Sequence, residues 1–148
     1  MKRNADIGLF NETIKECAMK NLLLFFAAGS VGALANSLTV WFFGHQGITR
    51  SIGVSMSPAL SPEWLYPRIV WGGLWGLLFI LPMLNSRLFT KGSVLSLVPT
   101  AFQLFVVFPF IAHKGIAGLK LGLYTPACVL FFNWVWGMVT AVMIKLAK

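Results

Sequence analysis

Four hydrophilic side chains, Asn36, Arg68, Gln103 and Asn133, stand inside stretches that are otherwise apolar. Three are carboxamides, each with two N–H donors and one acceptor oxygen. The fourth is a guanidinium, which only donates. In hydrocarbon such groups cannot be left alone, so each must face protein or water. Two chemistries fit. The amides can act as interhelical hydrogen-bond glue, worth about 0.6 kcal/mol apiece, with Arg68 anchored at the outer interface. Alternatively the four converge on one outward-facing hollow that binds an anionic group or passes a small solute. Glu63, the one acid beyond the N-terminal segment, joins this candidate binding site as a partner for Arg68. The other relief open to Arg68 is to extend its long stem toward the headgroups.

Other chemistry finds little support. No acid lies deep in an apolar stretch, which removes the usual carboxylate proton relay. There is no carboxylate pair, no H-E-x-x-H or C-x-x-C for zinc, no G-x-S-x-G and no phosphate-binding glycine loop. His45 and His113 stand apart on connections. Cys17 and Cys128 are too few for a disulfide framework and fall toward opposite membrane faces. No catalytic residue, metal or cofactor is therefore expected, and an enzyme, specifically a lipid-modifying one, ranks last among the readings.

The elements that position these residues follow from composition. The chain has 148 residues, 57% hydrophobic and 11% charged, against about 25% charged in ordinary soluble domains. A soluble fold of this size could not hide so much apolar surface, so the bilayer is the expected solvent and partner. The net charge of +8 would suggest nucleic acid in a soluble protein. Here the basic residues flank apolar segments, so they are read as topology signals and no nucleic-acid partner is expected.

The expected fold is all-α, an integral bundle of four transmembrane helices with an N-terminal amphipathic helix on the membrane surface. Residues 1–20 form the surface segment, in which Ile7, Phe10, Ile14 and Cys17 fall at helical spacing. Glu16 and Lys20 make a favourable i,i+4 pair. Residues 21–148 form the membrane domain, with spans at about 22–43, 62–84, 93–112 and 124–144. The first is 22 residues long, matching a bilayer core. Ala33-Leu34-Ala35 resembles a signal-peptidase site, but the long acidic leader and continued apolar run argue for a retained span. The second opens with Ser61 as a cap, Pro62 at the first helical position and Glu63 in the first turn. Trp64 and Tyr66 mark the interface. Pro99 and Pro109 should bend the third. Residues 44–60, rich in Gly, Ser and Pro, read as a connecting loop, with a re-entrant element or lid as the alternative.

Gly29, Gly32, Ala33, Gly72, Gly76 and Gly137 form small-residue faces where helix backbones can approach closely. They are the candidate helix-packing residues. Four spans put both termini on one side. Lys2, Arg3, Lys15, Lys20, Arg87, Lys91, Lys145 and Lys148 lie there, against Arg50, Arg68, Lys114 and Lys120 opposite. Eight against four places the termini in the cytoplasm.

The segments YPRIVWGGLWGLLFILP, LVPTAFQLFVVFP and FFNWVWG resemble those of small bacterial four-span inner-membrane proteins. The resemblance covers about Leu60 to Ile144. It implies a bacterial inner membrane and a four-span bundle, and brings no activity or catalytic residue with it. The first functional expectation is thus a non-enzymatic membrane component that packs with itself, as a homo-oligomer, or with another membrane protein. The second is a small transporter or channel for a solute, ion or lipid, built around the hollow near Arg68.

Overall fold

The computed structural model describes the backbone of residues 2–147 and the side chains of residues 12–147. Apolar stretches become helix, because backbone polar groups without water must bond within their own segment. In order these are α1 (Lys2–His45), α2 (Ile48–Ser51), α3 (Pro62–Gly76), a 3-10 helix (Leu77–Ile80), α4 (Leu88–Leu95) and α5 (Leu97–Phe102). A π-helix (Gln103–Ile111), a second 3-10 segment (Ile116–Leu121) and α6 (Thr125–Leu146) follow. The described residues contain no strand. Three helical stretches, Glu12–His45, Leu88–Ile111 and Thr125–Leu146, are long and apolar enough to cross a membrane. That is the pattern of a multi-pass membrane protein.

α1 and α6 form the middle of the bundle. α3 packs along α1, and α4 packs along α6. The contacts run through the small residues. Gly29 and Ala33 of α1 sit against Gly72 and Gly76 of α3, so close that a Cβ on any of the three glycines would overlap the opposite helix. Gly32 faces Trp136 and Thr140 of α6, and Gly92 of α4 faces Gly137 of α6 in the same way. All six small residues expected to mediate packing are thus engaged within one chain. Around these seams, Leu34, Leu38, Val70, Leu74, Leu97, Phe105, Leu130 and Val142 point outward and exposed, as side chains facing acyl chains would.

Several boundaries differ from the sequence reading. The N-terminal segment is helical, and α1 continues through residues 20–22 without a break. The side chains of residues 12–23 are all exposed, the expected Glu16–Lys20 pair forms at the surface (4.0 Å), and Glu12 pairs with Lys15 as well (3.2 Å). The apolar face expected from Ile7 and Phe10 lies outside the described side chains. The segment expected as a span over 62–84 is helical only to Ile80. Pro82 explains the stop: the residue before a proline is driven out of the helical region, and Leu81 takes φ −54°, ψ 131°.

The third span starts earlier than expected, at Leu88, and its last nine residues wind as a π-helix. Pro109 lies inside that stretch. It withholds an N–H and crowds the carbonyl four residues before it, a conflict that the wider winding accommodates. The 44–60 connection is ordered against the bundle. Thr49 and Val54 are buried, Thr49 Oγ1 donates to Met56 O (2.8 Å), and Ser55 N donates to Leu121 O of the other long connection (2.7 Å).

Candidate functional site

The four polar residues come from four different elements, and the fold joins them. Arg68 lies on α3 and turns toward α1. Its Nη2 donates to Asn36 Oδ1 (2.8 Å) and its Nε to Ser37 Oγ (3.0 Å). Asn36 Nδ2 donates to Phe132 O (2.7 Å) and to Asn133 Oδ1 of α6 (3.3 Å). Asn133 Nδ2 in turn donates to Gln103 Oε1 (3.3 Å), at the first residue of the π-helix. The result is one continuous chain, Arg68–Asn36–Asn133–Gln103. Asn36 is 5% exposed and Ser37 is fully buried, so the middle of the chain is shielded while its two ends are less covered.

This chain lies along the wall of a hollow of about 320 Å³ between α3 on one side and α5 with the π-helix on the other, backed by α1 and α6. That volume falls at the low end of the roughly 300–1,000 Å³ of small-molecule sites. Trp71, Trp75, Phe102, Val107 and Trp136 supply the apolar wall. Aromatic rings bridge the gap between α3 and α5: Phe102 lies 5.4 Å from Trp75 and 6.0 Å from Trp71, centroid to centroid. Toward the end of the bundle that carries the long connections, the hollow reaches Pro67 and Ile111, both exposed.

Glu63 stands apart from this site. It is exposed, does not line the hollow and makes no ion pair with Arg68. Helical geometry is the reason. Side chains three or four positions apart share a face, whereas five positions carry Arg68 well around the axis from Glu63. Trp64, four positions away, meets Arg68 instead, with the guanidinium carbon 4.6 Å from the ring centroid. Arg68 therefore turns into the bundle rather than out toward the headgroups. Its described partners are two acceptor oxygens and an aromatic face, with no carboxylate.

Sequence reasoning missed Ser37 as a partner of Arg68. The signal was its place beside Asn36, two polar positions running together in an apolar stretch. It also missed Lys91, read as a topology charge in a basic turn. Lys91 lies inside α4 and is 2% exposed. Its Nζ donates to Phe79 O (2.7 Å), Asn85 Oδ1 (2.8 Å) and Leu81 O. Two carbonyls left open where the helix stops before Pro82 are thereby satisfied, and a cation sits at the negative end of a helix dipole. Trp136, which lines the hollow, also holds the helices together: its Nε1 donates to Gly29 O (3.0 Å), pinning α6 to the α1–α3 seam.

The residues lining the hollow include no carboxylate, imidazole or thiol. The arrangement can hold and orient a ligand, but it offers no group to take a proton from one at neutral pH. No family model, curated protein or solved structure matches the chain.

Proposed function

We propose that this chain is a four-pass membrane protein of the bacterial inner membrane, with both termini cytoplasmic, whose hollow binds a small solute for transfer. One observation carries this reading. Four polar side chains from four elements form one hydrogen-bonded line along a hollow large enough for a small molecule. Amides serving only as glue would be spread over separate helix contacts. In this reading Pro62–Ile80 is the fourth span, shorter than the others and more polar because Pro62, Glu63, Pro67 and Arg68 fall in its first half. The excess of basic residues beside the termini supports the orientation.

Purified protein in proteoliposomes should support uptake or leak of at least one member of a panel of small solutes. Arg68→Ala should abolish that flux. Absence of wild-type flux across the panel would contradict transfer.

A second reading, a component that joins a partner, is supported by the first part of α1. Ile14, Met19 and Leu23 there are more than half exposed. The small-residue faces do not add to it, because the chain consumes them itself. Ile14→Ser with Met19→Ser should dissolve a detergent-stable complex if this reading holds, and should leave particle size unchanged if it does not.

A further inference from the structure

The polarity of the hydrogen-bonded chain says what the hollow would accept. A guanidinium has no acceptor, so Asn36 must meet Arg68 with its oxygen. Its nitrogen is then turned toward Phe132 O, a carbonyl that can only accept, which fixes the same orientation a second time. Asn133 must present its oxygen to Asn36 and its nitrogen to Gln103. Each step consumes an amide oxygen, and Gln103 is left with its Nε2 donors unengaged among the described residues. At the other end, Arg68 Nη1 and the second hydrogen of Nη2 are likewise unengaged. Both free ends of the line are donors. The indole N–H groups of Trp71 and Trp75, in the facing wall, are donors by chemistry as well.

Charge adds a second constraint. Arg68 is the one cation among the lining residues, and no acid lines the hollow. An uncompensated charge in a poorly solvated site is costly, and an anion removes that cost. A single negative charge balances it, while a second would be left unpaired. The remaining wall is aromatic and aliphatic, and it favours an apolar body behind the charged group.

Resting on the reading of the hollow as a binding site, we propose that its ligand is an amphiphilic monoanion. Its carboxylate or phosphate oxygens are held by Arg68, with the Gln103 amide a further donor lining the same hollow, and its apolar body lies along Trp71, Trp75 and Phe102. The same chemistry is available from a free amphiphilic acid or from a lipid headgroup.

The test uses the full chain in phosphatidylcholine nanodiscs and three ω-brominated probes: octanoate, octanol and octyltrimethylammonium. Bromine quenches the tryptophans of the hollow when a probe enters it. Bromooctanoate should bind at least about tenfold more tightly than the other two, the ratio expected for one charge-assisted hydrogen-bonded contact. Arg68→Gln should erase that preference while still donating to Asn36. Gln103→Glu, which can still accept from Asn133, should weaken bromooctanoate by about tenfold and raise the affinity of the ammonium probe. Competition by phosphatidylglycerol in the disc would identify a lipid headgroup as the source, and lack of competition a free acid; both agree with the proposal. Equal binding of all three probes, or bromooctanoate binding undiminished in both variants, would overturn it while leaving the hollow a binding site. Absence of quenching by every probe would overturn both.

Discussion

Asn36 is the hub of the polar line, and replacing it by leucine isolates what that line contributes. Leucine is close to asparagine in size, so the change removes hydrogen bonds more than it opens a cavity. Three bonds end on the Asn36 amide: one from Arg68, one to Phe132 O and one to Asn133 Oδ1. Interhelical bonds within membranes average about 0.6 kcal/mol, so three put the loss near 2 kcal/mol. Water in the hollow can replace part of what Arg68 and Asn133 lose. Phe132 O lies inside α6 and keeps its own helix bond, so it loses only a second donor and adds no orphan penalty. The expected destabilisation of Asn36→Leu is therefore about 1–2 kcal/mol. It should be read by denaturant titration in mixed micelles, following tryptophan emission and helical circular dichroism together. Thr39→Val is the control: its hydroxyl bonds Ala35 O of its own helix, and its loss should cost under about 0.5 kcal/mol. A double-mutant cycle with Asn133→Leu should give a coupling of at least about 0.5 kcal/mol, as residues sharing a network do. An Asn36→Leu protein as stable as the parent, or a coupling of zero, would refute the line as a cooperative feature.

Three further outcomes follow from the geometry. Lys91→Met should destabilise the protein by about 2–4 kcal/mol in the same titration, because Phe79 O and Leu81 O lose the ammonium that satisfies them; a neutral result would show that water reaches those carbonyls. Gly72→Leu should abolish folding into a monodisperse particle on size-exclusion chromatography, since any side chain there collides with Ala33 and Gly29. A folded variant that merely loses oligomers would mean that the seam lies between chains. Glu63→Gln should leave ligand affinity and flux unchanged within a factor of about two, because the carboxyl is exposed and unpaired with Arg68. A larger effect would place Glu63 in the site.

The four site residues were legible for one reason: an amide or a guanidinium in an apolar run has no cheap way to remain alone. That argument finds the residues and predicts that they seek company, but it does not choose the partner. Arg68 had Glu63, the headgroups or the polar hollow open to it; helical phase removes Glu63, and the Asn36 and Ser37 oxygens hold it in the bundle. The small-residue faces were legible in the same partial way. Gly29 and Gly72 announce a close approach, yet whether it occurs within a chain or between chains is a matter of topology. Three apolar helices could be read from run length alone. Less visible were features set by local breaks: the halt before Pro82, the π winding over Gln103–Ile111 and the descent of Lys91 into the bundle. Each depends on where backbone groups are freed and what reaches them, which composition and periodicity do not encode.

Native mass spectrometry of the protein released from mild detergent tests the central claim most directly. Wild-type protein should carry a small adduct with a single carboxylate or phosphate group, and Arg68→Gln, folded to the same extent, should carry none. Bare wild-type protein, or the same adduct retained at equal occupancy by the variant, would contradict a hollow built around Arg68 to hold a ligand.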